Sequence, residues 1–342
     1  MSRASSSEVD GLHETQFDVR VLSRRPGADG VELFELGPVA APTAAASGDG
    51  RQDRAGTLPG WTAGSHIDVA LPDGDVRQYS LVGAPSPGRA ATWTIGVLRE
   101  PSGRGGSEWL HSTLLAGSLV TVAGPRNHFE FVPTHGTSSV FVAGGIGITA
   151  ISSMAAAARR AGVPYQLHYA GRSRSTMALL TVLTREHGDA LRVYAADEGA
   201  RLDLVGLFAD MPPFTTTYCC GPSRLIEATE LAGAGRQVVV ERFTPREVGA
   251  PVLDSSFEVE LAATGVTVTV PPSRSILEVA EEAGALVLSS CREGTCGTCE
   301  TVVLEGEVDH RDSILTPDEQ EANDVMYVCV SRAACPRLVL DL

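Results

Sequence analysis

The stretch Cys291-Arg-Glu-Gly-Thr-Cys296-Gly-Thr-Cys299 carries three cysteines at the spacing C-x4-C-x2-C, and Cys329 follows after 29 intervening residues. Four thiolates at this spacing can hold two sulfide-bridged irons. Gly294 and Gly297 suit a loop wrapped closely around an inorganic cluster, because a Cβ would obstruct the approach of the backbone. Nearby amides could then hydrogen-bond the sulfides and tune the potential. The competing reading is structural zinc, since four cysteines also suit tetrahedral Zn²⁺. Zinc sites usually pair their ligands as two C-x2-C knuckles, and only one such pair exists here. On spacing alone Cys335 rivals Cys329 as the fourth ligand. Cys219 and Cys220 end an apolar run and read first as small core hydrophobes.

Outward from this loop, the surrounding sequence is acidic. Residues 251–342 hold 17 Asp/Glu against 5 Arg, which places −12 of the chain's net −15 there. Such a module argues against nucleic acid and favours docking onto a basic protein patch. A solvated surface that keeps the protein soluble explains the charge equally well. All 27 basic residues are arginine, to which we attach no function. With 342 residues, 43% of them apolar, the chain is long enough for two or three globular domains. Seven cysteines without a signal peptide do not suggest a disulfide framework. The uncharged stretch Val132–Ala158 is broken by glycines, so it reads as a strand and a helix, with no membrane span. A cytoplasmic protein acting as a monomer is the expectation.

Residues 1–15 read as a disordered tail. From 16 to 133 short runs at Phe17–Leu22, Val31–Leu36, His66–Leu71, Arg77–Val82, Thr92–Leu98 and Leu119–Val122 predict an antiparallel β-barrel, interrupted by a flexible loop insertion at 38–60. From 134 to 245 apolar runs alternate with helical segments near 149–161, 176–187 and 222–232, which predicts a parallel α/β sheet. A linker at 246–255 leads to an α+β module at 256–342.

Within the barrel, Arg77-Gln78-Tyr79-Ser80 lies on a predicted strand, with Arg77 and Tyr79 on one face and Gln78 and Ser80 on the other. Downstream, Val97-Leu98-Arg99 precedes Gly103-Arg104-Gly105-Gly106-Ser107 and a helix. A glycine loop opening a helix is a natural phosphate cradle; the plain alternative is an ordinary turn with Ser107 as N-cap. In the α/β region, Phe141-Val-Ala-Gly144-Gly145-Ile-Gly147-Ile-Thr149 reads as strand, glycine turn and helix start, suited to a pyrophosphate. Tyr218-Cys-Cys220-Gly221-Pro222 ends a later strand. Arg172-Ser173-Arg174 follows the second strand, where two arginines and a serine could hold a 2′-phosphate. Asp197 and Glu198 read as surface residues.

Taken together, the cysteine loop, Leu304-Glu-Gly-Glu-Val-Asp-His-Arg-Asp312, Cys329-Val-Ser-Arg332, the terminal Leu338-Val-Leu-Asp-Leu342 and the motifs above resemble the phthalate dioxygenase reductase family, which includes vanillate O-demethylase oxidoreductases. The resemblance runs from about Gln16 to Leu342; the amino-terminal tail and the 38–60 loop depart from it. It implies an antiparallel β-barrel flavin domain, an α/β nucleotide domain and a β-grasp, plant-type [2Fe–2S] ferredoxin domain. It favours Cys329 over Cys335 as ligand, beside Cys291, Cys296 and Cys299. It implies flavin contacts from Arg77 to Ser80, Val97 to Arg99 and Arg104 to Ser107. Arg104 resembles the extra arginine that neutralises a terminal FMN phosphate, so FMN is expected rather than FAD. Gly144, Gly145, Gly147, Thr149, Arg172, Ser173, Gly221 and Pro222 would hold NADH, with NADPH as the alternative. Cys220 would border the nicotinamide, and Phe243 would lie against the flavin, unless it is a core phenylalanine. The implied partner is a Rieske-type aromatic oxygenase or O-demethylase. A bacterial cytochrome P450 is the second candidate, and a non-catalytic iron–sulfur carrier the third reading.

Overall fold

The computed structural model describes residues 16–39 and 56–342. They form two compact units, Gln16–Phe243 and Thr244–Leu342. The expected tail at 1–15, and residues 40–55 of the expected loop insertion, lie outside the described residues.

The first unit begins with a barrel of β1 (Phe17–Ala28), β2 (Val31–Pro38), β3 (Leu58–Trp61), β4 (His66–Ala70), β5 (Val76–Ser80), β6 (Ser86–Ala90), β7 (Trp93–Leu98), α1 (Gly106–Thr113) and β8 (Leu119–Arg126). Six strands pair in the order β5-β4-β8-β1-β2-β7, every ladder antiparallel. Leu81 bridges Ile95, and the Val82 amide donates to the Thr94 carbonyl at 2.9 Å, joining the end of β5 to β7. Alternation along β4 sends Ile67 and Val69 into the barrel core, fully buried. The strands β3 and β6 lie beyond the sequence reading. Pro59, Gly60, Pro87 and Gly88 weaken a strand inside a sheet, but these two pair only with each other as a ribbon.

Next come β9 (Ser138–Gly144), α2 (Ile148–Ala161), β10 (Tyr165–Gly171), α3 (Leu180–His187), β11 (Leu191–Ala195), α4 (Leu204–Ala209), β12 (Thr215–Cys220), α5 (Ser223–Ala232) and β13 (Val238–Glu241). The sheet order is β11-β10-β9-β12-β13, all parallel. On α2, Ile148, Ile151, Ala155 and Ala158 recur at helical spacing and are fully buried. The apolar stretch Val132–Ala158 thus supplies β9 and α2, and among the described residues no helix is long and apolar enough to cross a membrane.

The barrel and the parallel sheet share one hydrophobic core. Val31, Leu33, Phe129 and Phe131 from the barrel side join Phe141, Ile151 and Met154. The Phe131 ring meets Phe141 at 5.1 Å and Tyr218 at 5.3 Å, both edge to face. Gly96 on β7 faces the Thr149 methyl of α2, where a Cβ would come within 2.8 Å.

The second unit contains β14 (Phe257–Leu261), β15 (Val266–Val270), α6 (Ile276–Glu282), β16 (Glu300–Glu305), β17 (Val308–Asp309), α7 (Pro317–Ala322), β18 (Val325–Tyr327), β19 (Arg332–Ala333) and β20 (Arg337–Leu340). A mixed sheet runs β15-β14-β20-β16-β18, with β14 and β20 parallel. The helix α6 starts in a capping box: Ser275 Oγ accepts the Glu278 amide at 3.2 Å, and Glu278 accepts the Ser275 amide at 3.0 Å. Buried Ile276, Leu277 and Ala280 pack the helix against the sheet.

Because Phe131 serves both halves of the first unit, Phe131→Ala should destabilise that unit by about 3–5 kcal/mol. Circular dichroism melts should show this as a lower midpoint for barrel and α/β sheet together; a loss under about 1 kcal/mol would mean the halves fold independently.

Candidate active site and cluster loop

The strand β5 carries Arg77 into the space beneath α1. Its side chain is 15% exposed, and Nη1 pairs with Asp75 at 2.7 Å and donates to the Val76 carbonyl at 2.8 Å. The second terminal nitrogen, Nη2, is buried with no hydrogen-bond partner among the described residues. A Cβ at Gly106 would lie 2.9 Å from Arg77 Cγ and Nε, so the first residue of α1 rests on this arginine. Gly105 before it is left-handed, at φ 84°, and no side chain caps the helix. Half-exposed Arg104 reaches the same Asp75 at 3.7 Å. Burial works to raise the Asp75 carboxyl, but hydrogen bonds from Arg77 and Val76 and the Arg104 charge hold it below its usual range. Two guanidiniums and an uncapped helix start therefore converge, a donor set suited to a phosphate.

The other residues of this motif divide. Tyr79 packs against the barrel core, and burial pushes its phenol up. Gln78 turns to the opposite face and donates to Asp68 at 2.9 Å, where Asp68 also pairs with Arg126. Ser80 is buried with its hydroxyl unpartnered. Val97 is fully buried. Arg99 grips Glu108 through two hydrogen bonds, at 2.7 and 2.5 Å, instead of joining Arg77. Ser107 is no N-cap: the helix begins one residue earlier, and its hydroxyl accepts the Glu100 amide at 3.0 Å, closing the loop. His66, which sequence reasoning passed over, pairs with Ser80 across the ladder. It is buried with Nε2 unpartnered, and burial, helped by Arg126, lowers it to about 4. The signal was a polar row, His66 and Asp68, alternating with buried Ile67 and Val69.

The glycine turns after β9 and β12 meet backbone to backbone. These neighbouring strands form the switch point of the parallel sheet, where ligands are expected. A Cβ at Gly147 would collide with the Cys220 carbonyl, and one at Gly221 would lie 3.0 Å from Gly144 Cα. Pro222 Cδ stands 2.8 Å from the corresponding position at Gly144, whereas Gly145, at φ 53°, faces open space. Thr149 is buried, its hydroxyl donating to the Ile146 carbonyl at 2.9 Å.

Cys220 is fully buried, with Sγ 3.9 Å from Glu241 on β13. Burial, then the Glu241 charge, pushes its thiol well up. Glu241, the one carboxylate of the Val238-Val-Val-Glu run, was also passed over; burial lifts it to about 8. Phe243 is 44% exposed, so its reading as a core phenylalanine is overturned. Cys219 is a buried core residue beside Thr229. At the far edge, Arg172 is exposed, Ser173 bonds to Ser175 and Thr176 within its own turn, and Arg174 pairs with Glu198 at 2.7 Å.

In the second unit, the cysteine loop folds through left-handed Arg292, Gly294 and Gly297, at φ 55°, 69° and 79°. The Glu293 amide donates to Cys291 Sγ at 3.3 Å, and the Cys291 amide to Cys296 Sγ at 3.5 Å. All four thiols are buried, and they influence one another in two sets of neighbours, Cys291 with Cys296 and Cys299 with Cys329. The bond from Cys296 lowers Cys291 to about 5, and the bond from Cys299 lowers Cys329. Among the described residues no three metal-ligating side chains surround a single ion position. A [2Fe–2S] cluster takes four thiolates, and these four cysteines are the candidates for them. Cys335 stands apart, its Sγ accepting the Glu307 amide at 3.1 Å and lying 3.0 Å from the Arg337 carbonyl.

Residues 259–334 match the family of the 2Fe-2S iron-sulfur cluster binding domain, which makes the second unit an iron–sulfur module. The chain is 41% identical over 328 residues to the phenoxybenzoate dioxygenase subunit beta of Ectopseudomonas oleovorans, covering 95% of this chain and 97% of that one. The structure of phthalate dioxygenase reductase is 33% identical, with TM-score 0.63, over 96% of this chain and 98% of that one. An intact type IV self-sufficient cytochrome P450 monooxygenase is 41% identical with TM-score 0.83; the match takes in 96% of this chain but spans only 41% of that protein. The chain belongs to the phthalate dioxygenase reductase family and is an NAD(P)H-dependent flavin and iron–sulfur oxidoreductase.

With its carboxyl lifted from 4.5 to about 8, Glu241 keeps in the folded state a proton that the unfolded chain releases. That stability is complete below the unfolded value and is lost as pH rises through about 8. Thermal melts across this window should show Glu241→Gln losing less stability with rising pH than the parent. Parallel slopes would mean that Glu241 is ionised when folded.

Proposed function

We propose that this chain takes electrons from NADH through FMN to a [2Fe–2S] cluster held by Cys291, Cys296, Cys299 and Cys329, and delivers them to a Rieske-type aromatic oxygenase or O-demethylase. The observation that carries the reading is the presence in one chain of an arginine-lined anion site, a glycine-turn crevice at a switch point and two cysteine pairs. When bound, the nicotinamide supplies a hydride, the flavin accepts it, and the cluster passes electrons singly.

The residues supply binding and orientation. Arg77, Arg104 and the first amides of α1 hold a terminal phosphate, and a monoester's double charge suits two guanidiniums, which favours FMN over FAD. Buried Ser80 and the backbone of Val97 to Arg99 line the flavin ring and its chain, with Tyr79 against the barrel. Gly144, Gly145, Gly147, Gly221 and Pro222 allow the nucleotide's pyrophosphate and nicotinamide close to the backbone, and Thr149 steadies the turn through Ile146. Cys220 acts as a neutral, buried thiol behind that turn, and exposed Phe243 is available to a ring. Arg174 is engaged by Glu198, so Arg172 and Ser173 form no two-arginine clamp on a 2′-phosphate; this favours NADH.

The likeness to a P450-fused reductase supports a second reading, electron delivery to a P450 haem. Partners are distinguished by mixing NADH-reduced protein with a Rieske oxygenase or a P450 in a stopped-flow spectrometer. Reduction of the Rieske centre, slowing as salt rises because the acidic module steers docking, is expected. Reduction of the haem alone would establish the second reading, and a flavin spectrum that NADH does not bleach would leave a carrier only. A salt-independent rate would assign docking to apolar contacts.

Flavin released by heat should run as FMN on chromatography, and Arg104→Ala should weaken its retention about tenfold, as loss of a charge-assisted contact implies. Recovery of FAD would overturn the phosphate assignment.

A further inference from the structure

The segment Val308-Asp-His-Arg-Asp312 has no part in the flavin or nucleotide sites, yet it ends in a fully buried acid. Asp312 Oδ2 accepts the amides of Ile314 and Leu315 at 3.0 and 2.8 Å, while Oδ1 has no hydrogen-bond partner. His310 Nδ1 is 3.9 Å away, its imidazole lowered by burial, and the Arg246 guanidinium is held on the His310 carbonyl at 3.2 Å, with no ion pair to Asp312 among the described residues. Asp312 lies directly beneath the cysteine loop: a Cβ at Gly294 would stand 3.2 Å from Asp312 Cα. The next amide, of Ser313, donates to the Gly294 carbonyl at 2.9 Å.

Three residues beyond Cys329 sits a buried charge of opposite sign. Arg332 is 7% exposed. Its guanidinium donates to the carbonyls of Arg274 and Pro271 at 2.8 and 3.2 Å and lies 5.0 Å over the Phe257 ring. Asp309 faces it across the β17–β19 ladder, but that carboxylate accepts from Arg311 and from the Val252 amide, both at 3.1 Å. Among the described residues Arg332 makes no ion pair.

We propose that Asp312 and Arg332 set the reduction potential of the cluster in opposite directions. Burying a charged group without a close ion pair is costly, and this module keeps two, one against the loop of the first ligands and one on the segment of the last. Reduction makes the cluster one unit more negative. A buried negative charge therefore opposes it and a buried positive charge assists it. A unit charge about 10 Å away at an effective dielectric of about 20 shifts a one-electron equilibrium by about tenfold.

The proposal rests on the four cysteines holding a [2Fe–2S] cluster, so the parent protein is first checked for the EPR signal of the reduced cluster. Absence of that signal would refute the cluster assignment itself. Potentiometric titration followed by EPR then compares the full-length holoprotein with Asp312→Asn, Arg332→Gln and Arg332→Lys. The Asn variant retains an amide oxygen for the two backbone donors. Asp312→Asn should favour reduction about tenfold, a 59 mV rise for one electron, and Arg332→Gln should disfavour it by about as much. Arg332→Lys, which keeps the charge, should stay close to the parent. Flavin bleaching by NADH, unchanged in all three, reports that the first unit is intact. Shifts of the same sign, shifts below about twofold, or Lys behaving like Gln would overturn the proposal. If Asp312→Asn fails to assemble a cluster, the contrast between Gln and Lys at 332 decides it.

Discussion

Two backbone turns can touch only where neither carries a side chain, and the first unit is organised around such a contact. Gly144 and Gly147 after β9 meet Gly221 after β12 because the order β11-β10-β9-β12-β13 puts those strands side by side. Their connections then leave on opposite faces and open a crevice at the carboxy ends. The same adjacency brings Phe141 of β9 and Tyr218 of β12 together under Phe131, which ties the parallel sheet to the barrel. The helix launched from the first turn lays Thr149 against Gly96 of the barrel strand that carries Val97. Moving either turn by a methyl group would disturb the shared core as well as the crevice.

Much of this was legible in the sequence because it rests on local pattern. Alternation in His66–Ala70, helical spacing in Ile148–Ala158 and the glycine turns each belong to one short segment. What escaped depends on partners far along the chain. β3 and β6 look like proline-glycine loops until each finds the other. The helix α4 is too short for a periodic signal and is marked mainly by its Asp203 cap. Asp75 reads as part of a polar turn, and only the fold shows two arginines gathered on it. Glu241 ends an apolar strand, and nothing local shows that it will face Cys220. For Phe243 the sequence left two readings open, against a flavin or in the core, and its exposure after a half-buried strand removes the second.

Residues with unpartnered polar atoms are informative because folded proteins satisfy nearly all such groups. In the first unit, Arg77 Nη2, Ser80 Oγ and His66 Nε2 all lie on the β4–β5 pair, Arg77 against the start of α1. Ordinary core formation does not gather such groups on adjacent strands. The neighbouring Gln78–Asp68–Arg126 contacts show that this sheet can pair its buried polar side chains where no further partner is needed.

The second unit uses charge differently. Of its arginines after residue 250, Arg274, Arg292, Arg311 and Arg337 each pair with a nearby carboxylate, and Arg332 is buried. No arginine in that stretch is left to oppose the remaining carboxylates at the surface. The negative field therefore does not depend on the rotamers of a few side chains; it follows from the composition of the module. A field of that kind is poor at fixing one docking geometry, because many orientations on a basic surface have similar energy. It raises the frequency of encounter, and local contacts beside the cysteine loop must then select the productive one. Leu286 and Leu288, just before Cys291, are exposed apolar side chains beside that loop.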